Sequence, residues 1–366
     1  MNKIGILTYH NGFNYGACLQ AYALQQTVKR YCSNTEIINF ESIDFLASRE
    51  MFSRRPNHLK EIIKIVTRIP YYKSLKQREK RFRQYEQDCL ETTPIYRTEQ
   101  EVIAAADSYD CIICGSDQIW NLGKAAGPAA NLIYFLNFPK KQKRIAYAAS
   151  FGNWVKEADS REKEFMPWLR LFDAISVREK TGVDYLRNKG VDCVQTIDPT
   201  FLLDASDYDK ICSPRLIDDD YILMFGWDVN ADLISAAKKV QKKLNLPVYN
   251  IVPPPRGLFS GIKRRLDIGP QDFLSMIKHA SFVVTNSFHG TAFSTTYQKP
   301  YVSVVSGTPD TRMKSLLEQL GLSNHLVPAD SFDMDDLMRT DYSDVQKKKE
   351  LVRESSLQFI KHVMEE

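Results

Sequence analysis

The chain has 366 residues, of which 43% are hydrophobic, 26% charged and 11% aromatic, with a formal net charge of +4. That length exceeds one ordinary core and predicts two domains of roughly 150–200 residues each. No stretch approaches the roughly 20 apolar residues of a membrane-spanning helix, so an integral membrane protein of the helical type is excluded.

The opening MNKIGILTYH has a short apolar run stopped at once by Asn11 and Gly12. This predicts a strand over 3–8 entering a loop, not a cleaved leader, which needs a longer apolar core. His10 to Gly16 leads into a helix carrying Leu19, Ala23, Leu24 and Val28, and a strand is expected near 36–40. From Arg54 to Arg83 the chain holds eleven Lys/Arg against two acidic residues, interleaved with Ile62, Ile63, Ile65, Val66, Ile69, Tyr71, Tyr72 and Leu75. Two readings stand for this stretch. It forms solvated helices with a basic outer face, or a surface that docks on anionic lipid or a polyanionic acceptor. No nucleic-acid module accompanies it, so no nucleic-acid partner is expected.

Strands follow at 109–114, 144–149 and 173–177, the last leading into a helix over 179–189 that ends at Gly190. The segment 198–220, rich in Asp, Ser and Pro, reads as a crossing between domains. A second series begins with a strand at 221–227, a helix at 230–244 and the strand LPVYNIV. Strands at 281–287 and 299–305 come next, and 251–265 reads as a mobile loop near the cleft. The closing helix, 343–364, is expected to pack back on the first domain. The expected division is residues 1–205, with a basic insertion over about 42–98, then 206–342, then 343–366. Short apolar runs alternating with amphipathic helices predict mostly parallel α/β sheets. Seven scattered cysteines make no disulfide framework. Cys111 and Cys114 sit in a predicted buried strand, so they read as core thiols of a protein in a reducing cytoplasm.

Ligands of parallel sheets bind beyond the C-terminal strand ends, so the loops there hold the candidate residues. After the first strand, Asn14, Tyr15 and Gly16 enter a helix N-terminus, suited to a hydroxyl or an anion; Gly16 can equally be only a turn glycine. After 109–114, Ser116, Asp117, Gln118 and Asn121 form a dense polar loop, with Asp117 also a candidate cap. Arg178 follows the 173–177 strand and reads as an anion-binding fork or a salt-bridge partner. His289 opens a helix after 281–287, as a proton carrier or a satisfied core histidine. Gly307, Thr308, Pro309, Asp310, Thr311, Arg312 and Lys314 form a candidate phosphate cradle. Metal-ligand clusters, phosphate-binding loops, dinucleotide fingerprints and nucleophile elbows are all missing from the sequence, so no cofactor or metal is expected.

NYGACLQAYALQ at 14–25, CGSDQIWN at 114–121, ISVREKTGVDYL at 175–186, DPTFLL at 198–203 and TNSFHGTAFS at 285–294 together resemble the polysaccharide pyruvyltransferase family, over roughly residues 3–325. The resemblance implies an α/β fold of two Rossmann-like domains in a GT-B-like arrangement, with a cleft between them. It implies transfer of pyruvate from phosphoenolpyruvate to two hydroxyls of a saccharide of a surface polysaccharide or exopolysaccharide precursor, forming a ketal. His289 matches the family's catalytic histidine and Arg178 a substrate-binding arginine. Arg312, with Lys314 as the fallback, matches the cation that holds phosphoenolpyruvate, with Ser287 and Gly290 beside the donor. Many members carry an arginine where this chain has Ser287. Asn14, Tyr15, Gly16, Ser116, Asp117, Gln118 and Asn121 are the expected acceptor contacts. The acceptor, lipid-linked or not, would be met in the cytoplasm, at the inner membrane face if the basic insertion docks there. Two alternatives stay open: a GT-B-like glycosyltransferase using a nucleotide-sugar, and a non-catalytic glycan-binding module.

Overall fold

A computed structural model describes residues 1–42, 59–123, 131–153, 158–258, 260–305 and 310–365. Among these, twelve strands form two wholly parallel sheets of six. The first comprises β1 (Ile4–Leu7), β2 (Thr35–Ile37), β3 (Cys111–Cys114), β4 (Lys143–Ala149), β5 (Ala174–Val177) and β6 (Val194–Gln195), in the order β2-β1-β3-β4-β5-β6. The second comprises β7 (Ile222–Phe225), β8 (Val248–Asn250), β9 (Lys263–Arg264), β10 (Phe282–Thr285), β11 (Tyr301–Val305) and β12 (Leu326–Pro328), in the order β12-β11-β10-β7-β8-β9. β1, β3 and β10 are buried along their whole length. Strands covered on both faces read as unbroken apolar runs, as IGIL, CIIC and FVVT do. Strand order reverses between β1 and β3 in one sheet and between β7 and β10 in the other. Those two switch points are where such sheets open crevices for ligands.

The helices are α1 (Tyr15–Val28), α2 (Leu59–Arg68), α3 (Tyr72–Cys89), α4 (Glu99–Ala106), α5 (Ala158–Leu169), α6 (Lys180–Asn188), α7 (Ala205–Asp209), α8 (Ala231–Leu244), α9 (Pro270–Lys278), α10 (Phe288–Thr296), α11 (Thr311–Leu320), α12 (Met334–Met338) and α13 (Tyr342–Glu365). One apolar cluster runs through both sheets' inner helices, joining Leu19 and Leu24 of α1 to Phe273 of α9 and Phe293 of α10. At its centre Tyr15 stacks on Phe273, with ring centroids 4.6 Å apart and planes 4° from parallel. The two halves therefore meet through a packed aromatic contact, worth about 0.5–1.5 kcal/mol beyond its buried area.

The structure corrects several expectations. The strand near 36–40 stops at Ile37, and Phe40 makes only an isolated bridge to Tyr96. β6, β9 and β12 are two or three residues long, too short to leave a periodic pattern. The segment 251–265 is not a free loop: Lys263 and Arg264 pair with Tyr249 and Asn250. Arg264 then clips the turn by donating to the carbonyls of Val252 (2.9 Å) and Gly257 (2.6 Å). The segment at 198–220 begins as core, since Asp198 through Leu203 are all buried. Part of the basic stretch forms α2 and α3, where α3 buries Leu75, Arg78, Phe82 and Tyr85 on one face; residues 54–58 lie outside the described residues. α13 runs along residues 197–204. Ser356 Oγ accepts from the Ile197 N–H (3.0 Å), and Lys349 Nζ donates to Asp204 (3.0 Å).

Candidate active site

The site grows from the ends of buried strands. β5 carries Arg178 and Glu179 past its last paired residue, and β10 hands the chain to α10 through Asn286 and Ser287. Ser287 caps α10, its Oγ accepting from the Gly290 N–H at 3.4 Å. That fixes the first helical turn and the direction of His289. The two halves then interlock. The Arg178 guanidinium lies over the Phe288 ring at 4.3 Å, and that of Arg312 lies 6.0 Å from the same ring. One aromatic ring from the second half is thus shared by two cations.

Asp198 links these groups. Its Oδ2 accepts from Arg178 Nη1 and lies 3.9 Å from His289 Nε2. Its Oδ1 accepts from the Thr200 N–H (3.0 Å) and hydroxyl (2.8 Å). Burial pushes the Asp198 carboxyl up, but Arg178, His289 and the Thr200 amide outweigh this and hold it below the usual carboxylate range. Burial lowers His289 from its ordinary value; Asp198 and Asp117 pull it up, while Arg178 and Arg312 push it further down. His289 Nε2 and the Nε and Nη2 of Arg178 are buried without a hydrogen-bond partner. Orphaned polar atoms of this kind cost about 1–3 kcal/mol each, so these three mark the junction as the candidate ligand position.

Arg312 opens α11 and is gripped by the helix cap: Nε donates to Asp310 Oδ1 at 2.9 Å and Nη2 to Oδ2. Burial lowers its pKa, yet Asp310, Asp117 and Glu179 more than offset this and raise it above the ordinary value. With its amide turned to satisfy both ends, Gln118 accepts from Arg312 Nη1 at 2.5 Å. Glu179 accepts from the Phe151 N–H (2.8 Å) and Ser150 hydroxyl (3.1 Å), and burial raises its carboxyl. Two guanidiniums stand among four carboxylates here, so a bound anion would favour proton uptake by the site.

The expected site residues fall into two groups, one gathered at the junction and one taken up by structural roles. His289, Arg178, Arg312, Asp117 and Gln118 come together. Lys314 does not: it is well exposed and lies 3.9 Å from Glu318 on the outer face of α11. Ser287 is occupied as a cap, and Gly290 packs so tightly that a β-carbon there would lie 2.2 Å from Thr285 Oγ1. Among the acceptor candidates, Tyr15 is buried in the interdomain stack, its hydroxyl hydrogen-bonded to Arg78 and to the Ile268 carbonyl. Burial raises it to about 12. Ser116 is fully buried, donating to the Ala148 carbonyl at 2.8 Å, and Asn14 caps α1 through the Ala17 N–H at 3.2 Å. Gly16 seats the His289 ring. Of that set, Asn14, Gln118 and Asn121 remain partly exposed. Gly307, Thr308 and Pro309 of the candidate cradle lie outside the described residues. The sequence reading missed Asp198 as a site residue, and it placed Asp310 in the phosphate cradle, where the structure makes it the carboxylate that grips Arg312. The sign for Asp198 was an Asp-Pro-Thr turn, in which the carboxylate accepts from the amide two residues on.

Two parallel six-stranded sheets, joined by a buried His–Asp–Arg cluster, define a two-domain α/β fold of the GT-B-like class. The polysaccharide pyruvyl transferase family model matches residues 14–307, most of the chain, and the protein belongs to that family. Among curated proteins, none matches the sequence. The fold is similar to a Listeria monocytogenes structure provisionally described as a UDP-N-acetylglucosamine 2-epimerase (TM-score 0.54, 10% identity, covering 96% of this chain and 91% of that one). It is also similar to the UDP-GlcNAc 2-epimerase of Methanocaldococcus jannaschii in complex with UDP-GlcNAc and UDP (TM-score 0.50, 12% identity, 96% and 93%). At these identities the likeness concerns the fold alone.

Proposed function

We propose that the protein moves the enolpyruvyl unit of phosphoenolpyruvate onto two hydroxyls of a saccharide of a surface polysaccharide or exopolysaccharide precursor, forming a pyruvate ketal and releasing phosphate. The observation that carries this reading is the junction of His289 with Arg178 and Arg312. The Nε and Nη2 of Arg178, which make no hydrogen bond, suit one anionic end of the donor, and Arg312 at the N-terminus of α11 suits the other. A saccharide hydroxyl attacks C2 while a proton is delivered to C3; phosphate leaves with the electrons of the C2–O bond, and the second hydroxyl closes the ketal. His289 supplies the proton to C3 or to the departing phosphate. Burial holds the His289 pKa below its ordinary value. A polyanionic donor beside it raises its pKa, so binding arms the acid, which contributes roughly 10²–10⁴-fold.

In this reading residues 1–205 hold the acceptor, with Gln118 and Asn121 at the rim. Residues 206–342 hold the donor together with Arg178, and 343–366 brace the first domain. The protein works in the cytoplasm at the inner membrane face, where the basic stretch 54–83 meets anionic lipid and a lipid-linked acceptor. Thermal-shift measurements with phosphoenolpyruvate, UDP and free glycans test the donor. Stabilisation by phosphoenolpyruvate is expected. Stabilisation by UDP instead, or by glycans alone, would overturn the proposed donor.

A further inference from the structure

We propose that α2 docks the protein on an anionic lipid surface by laying an outward apolar ridge into the boundary between headgroups and acyl chains. Leu59, Ile62, Ile63 and Val66 recur at helical spacing on one face, and Ile69 and Tyr72 carry the line onward; all six are exposed, Leu59 by 72% and Val66 by 58%. The opposite face is turned to the protein. Arg68 is buried, and its Nε donates to the Pro254 carbonyl at 2.9 Å. α2 is therefore inverted relative to an ordinary surface helix, which hides its apolar stripe and hydrates its charges. Large side chains held out in this pattern mark a contact surface.

Charge identifies the occupant. Lys60, Lys73, Lys76, Lys80 and Arg83 are exposed along α2 and the adjoining α3, complementary to anionic headgroups. The surface also continues. Arg68 holds the loop that carries Arg256, whose guanidinium lies 5.7 Å from the ring of Trp227, itself 72% exposed beyond the C-terminal end of β7. A tryptophan beside an apolar ridge suits the membrane interface, where indoles concentrate. Among the described residues no helix is long and apolar enough to cross a membrane, so α2 lies in the plane of the surface. This deepens the basic contact proposed above and rests on it only for the anionic character of the lipid.

The test is co-sedimentation of the full chain with phosphatidylcholine vesicles, with and without phosphatidylglycerol, at low salt. Wild type should bind the anionic vesicles. The double variant Ile62→Glu/Val66→Glu, checked for fold by circular dichroism, should lose at least about tenfold in binding. Lys60→Gln and Lys73→Gln should each weaken it about fivefold. Wild type that ignores anionic vesicles would overturn both the ridge and the basic contact. Unchanged binding by the double variant would overturn the ridge and leave the basic contact standing. A wild-type dimer in sedimentation velocity that the double variant dissolves, without vesicle binding, would assign the ridge to a second copy of the chain instead.

Discussion

Gly16 and His289, from opposite halves of the chain, touch so closely that a β-carbon on Gly16 would lie 1.9 Å from His289 Nδ1. The first turn of α1 is thus the floor under the imidazole. Gly16→Ala should leave α1 intact, since alanine is the better helix former. It must push the ring aside, at a cost of roughly 1–3 kcal/mol in stability. A displacement near 1 Å lowers turnover by about a hundredfold. Steady-state rates with a verified acceptor check this, and wild-type turnover in the variant would contradict it.

Asp198 holds Arg178 and faces His289 from a fully buried position. Asp198→Asn takes from the guanidinium its hydrogen-bonded carboxylate and leaves only Asp117, 3.9 Å away, which should cost about 3 kcal/mol in urea unfolding. It should also lower the pKa of His289 further, because Asp198 is the largest influence raising it. An imidazole titration by NMR reads this directly, and an unmoved His289 resonance would show that the carboxylate acts on Arg178 alone.

Arg312 and Lys314 lie two residues apart, yet Arg312 is folded into the junction and Lys314 faces solvent. Arg312→Ala should raise the KM for phosphoenolpyruvate at least about tenfold, the scale of one charged hydrogen bond. It should leave the acceptor KM unchanged. Lys314→Ala should change neither. The reverse pattern would move the donor's phosphate to Lys314.

His325 is fully buried, with Nδ1 at 3.0 Å from the Tyr301 carbonyl and Nε2 at 2.9 Å from Thr340 Oγ1. Burial lowers it to about 4, against about 6.5 in an unfolded chain. The folded state refuses a proton that the unfolded state accepts. Stability is therefore complete above the unfolded value and declines as pH falls toward the folded one, by up to about 3 kcal/mol. Urea denaturation between neutral pH and about pH 4 should show this slope, and His325→Gln should flatten it.

The sheets were legible because parallel strands are buried on both faces, and runs such as SFVVTNS and KPYVSVV carry that burial in their composition. The same logic located the loops after β3, β5 and β10, hence Arg178 and His289. Short edge strands such as β6 and β9 were not legible, since two residues hold no periodicity. The acceptor set was the least readable part. Asn14, Tyr15 and Ser116 have polar side chains at strand or helix ends, but whether such a group caps, stacks or faces a ligand is decided by the partners that the fold brings to it. Phe273 claims Tyr15, and the Ala148 carbonyl claims Ser116. Asp198 stayed hidden for the converse reason: an Asp-Pro step looks like a linker until the fold buries it.

The most direct test of the account is phosphate release from phosphoenolpyruvate in the presence of a saccharide acceptor, comparing wild type with His289→Ala. Acceptor-dependent release that falls at least about a hundredfold in the folded variant is the predicted result. Undiminished release by His289→Ala would remove the imidazole from the chemistry and contradict the mechanism.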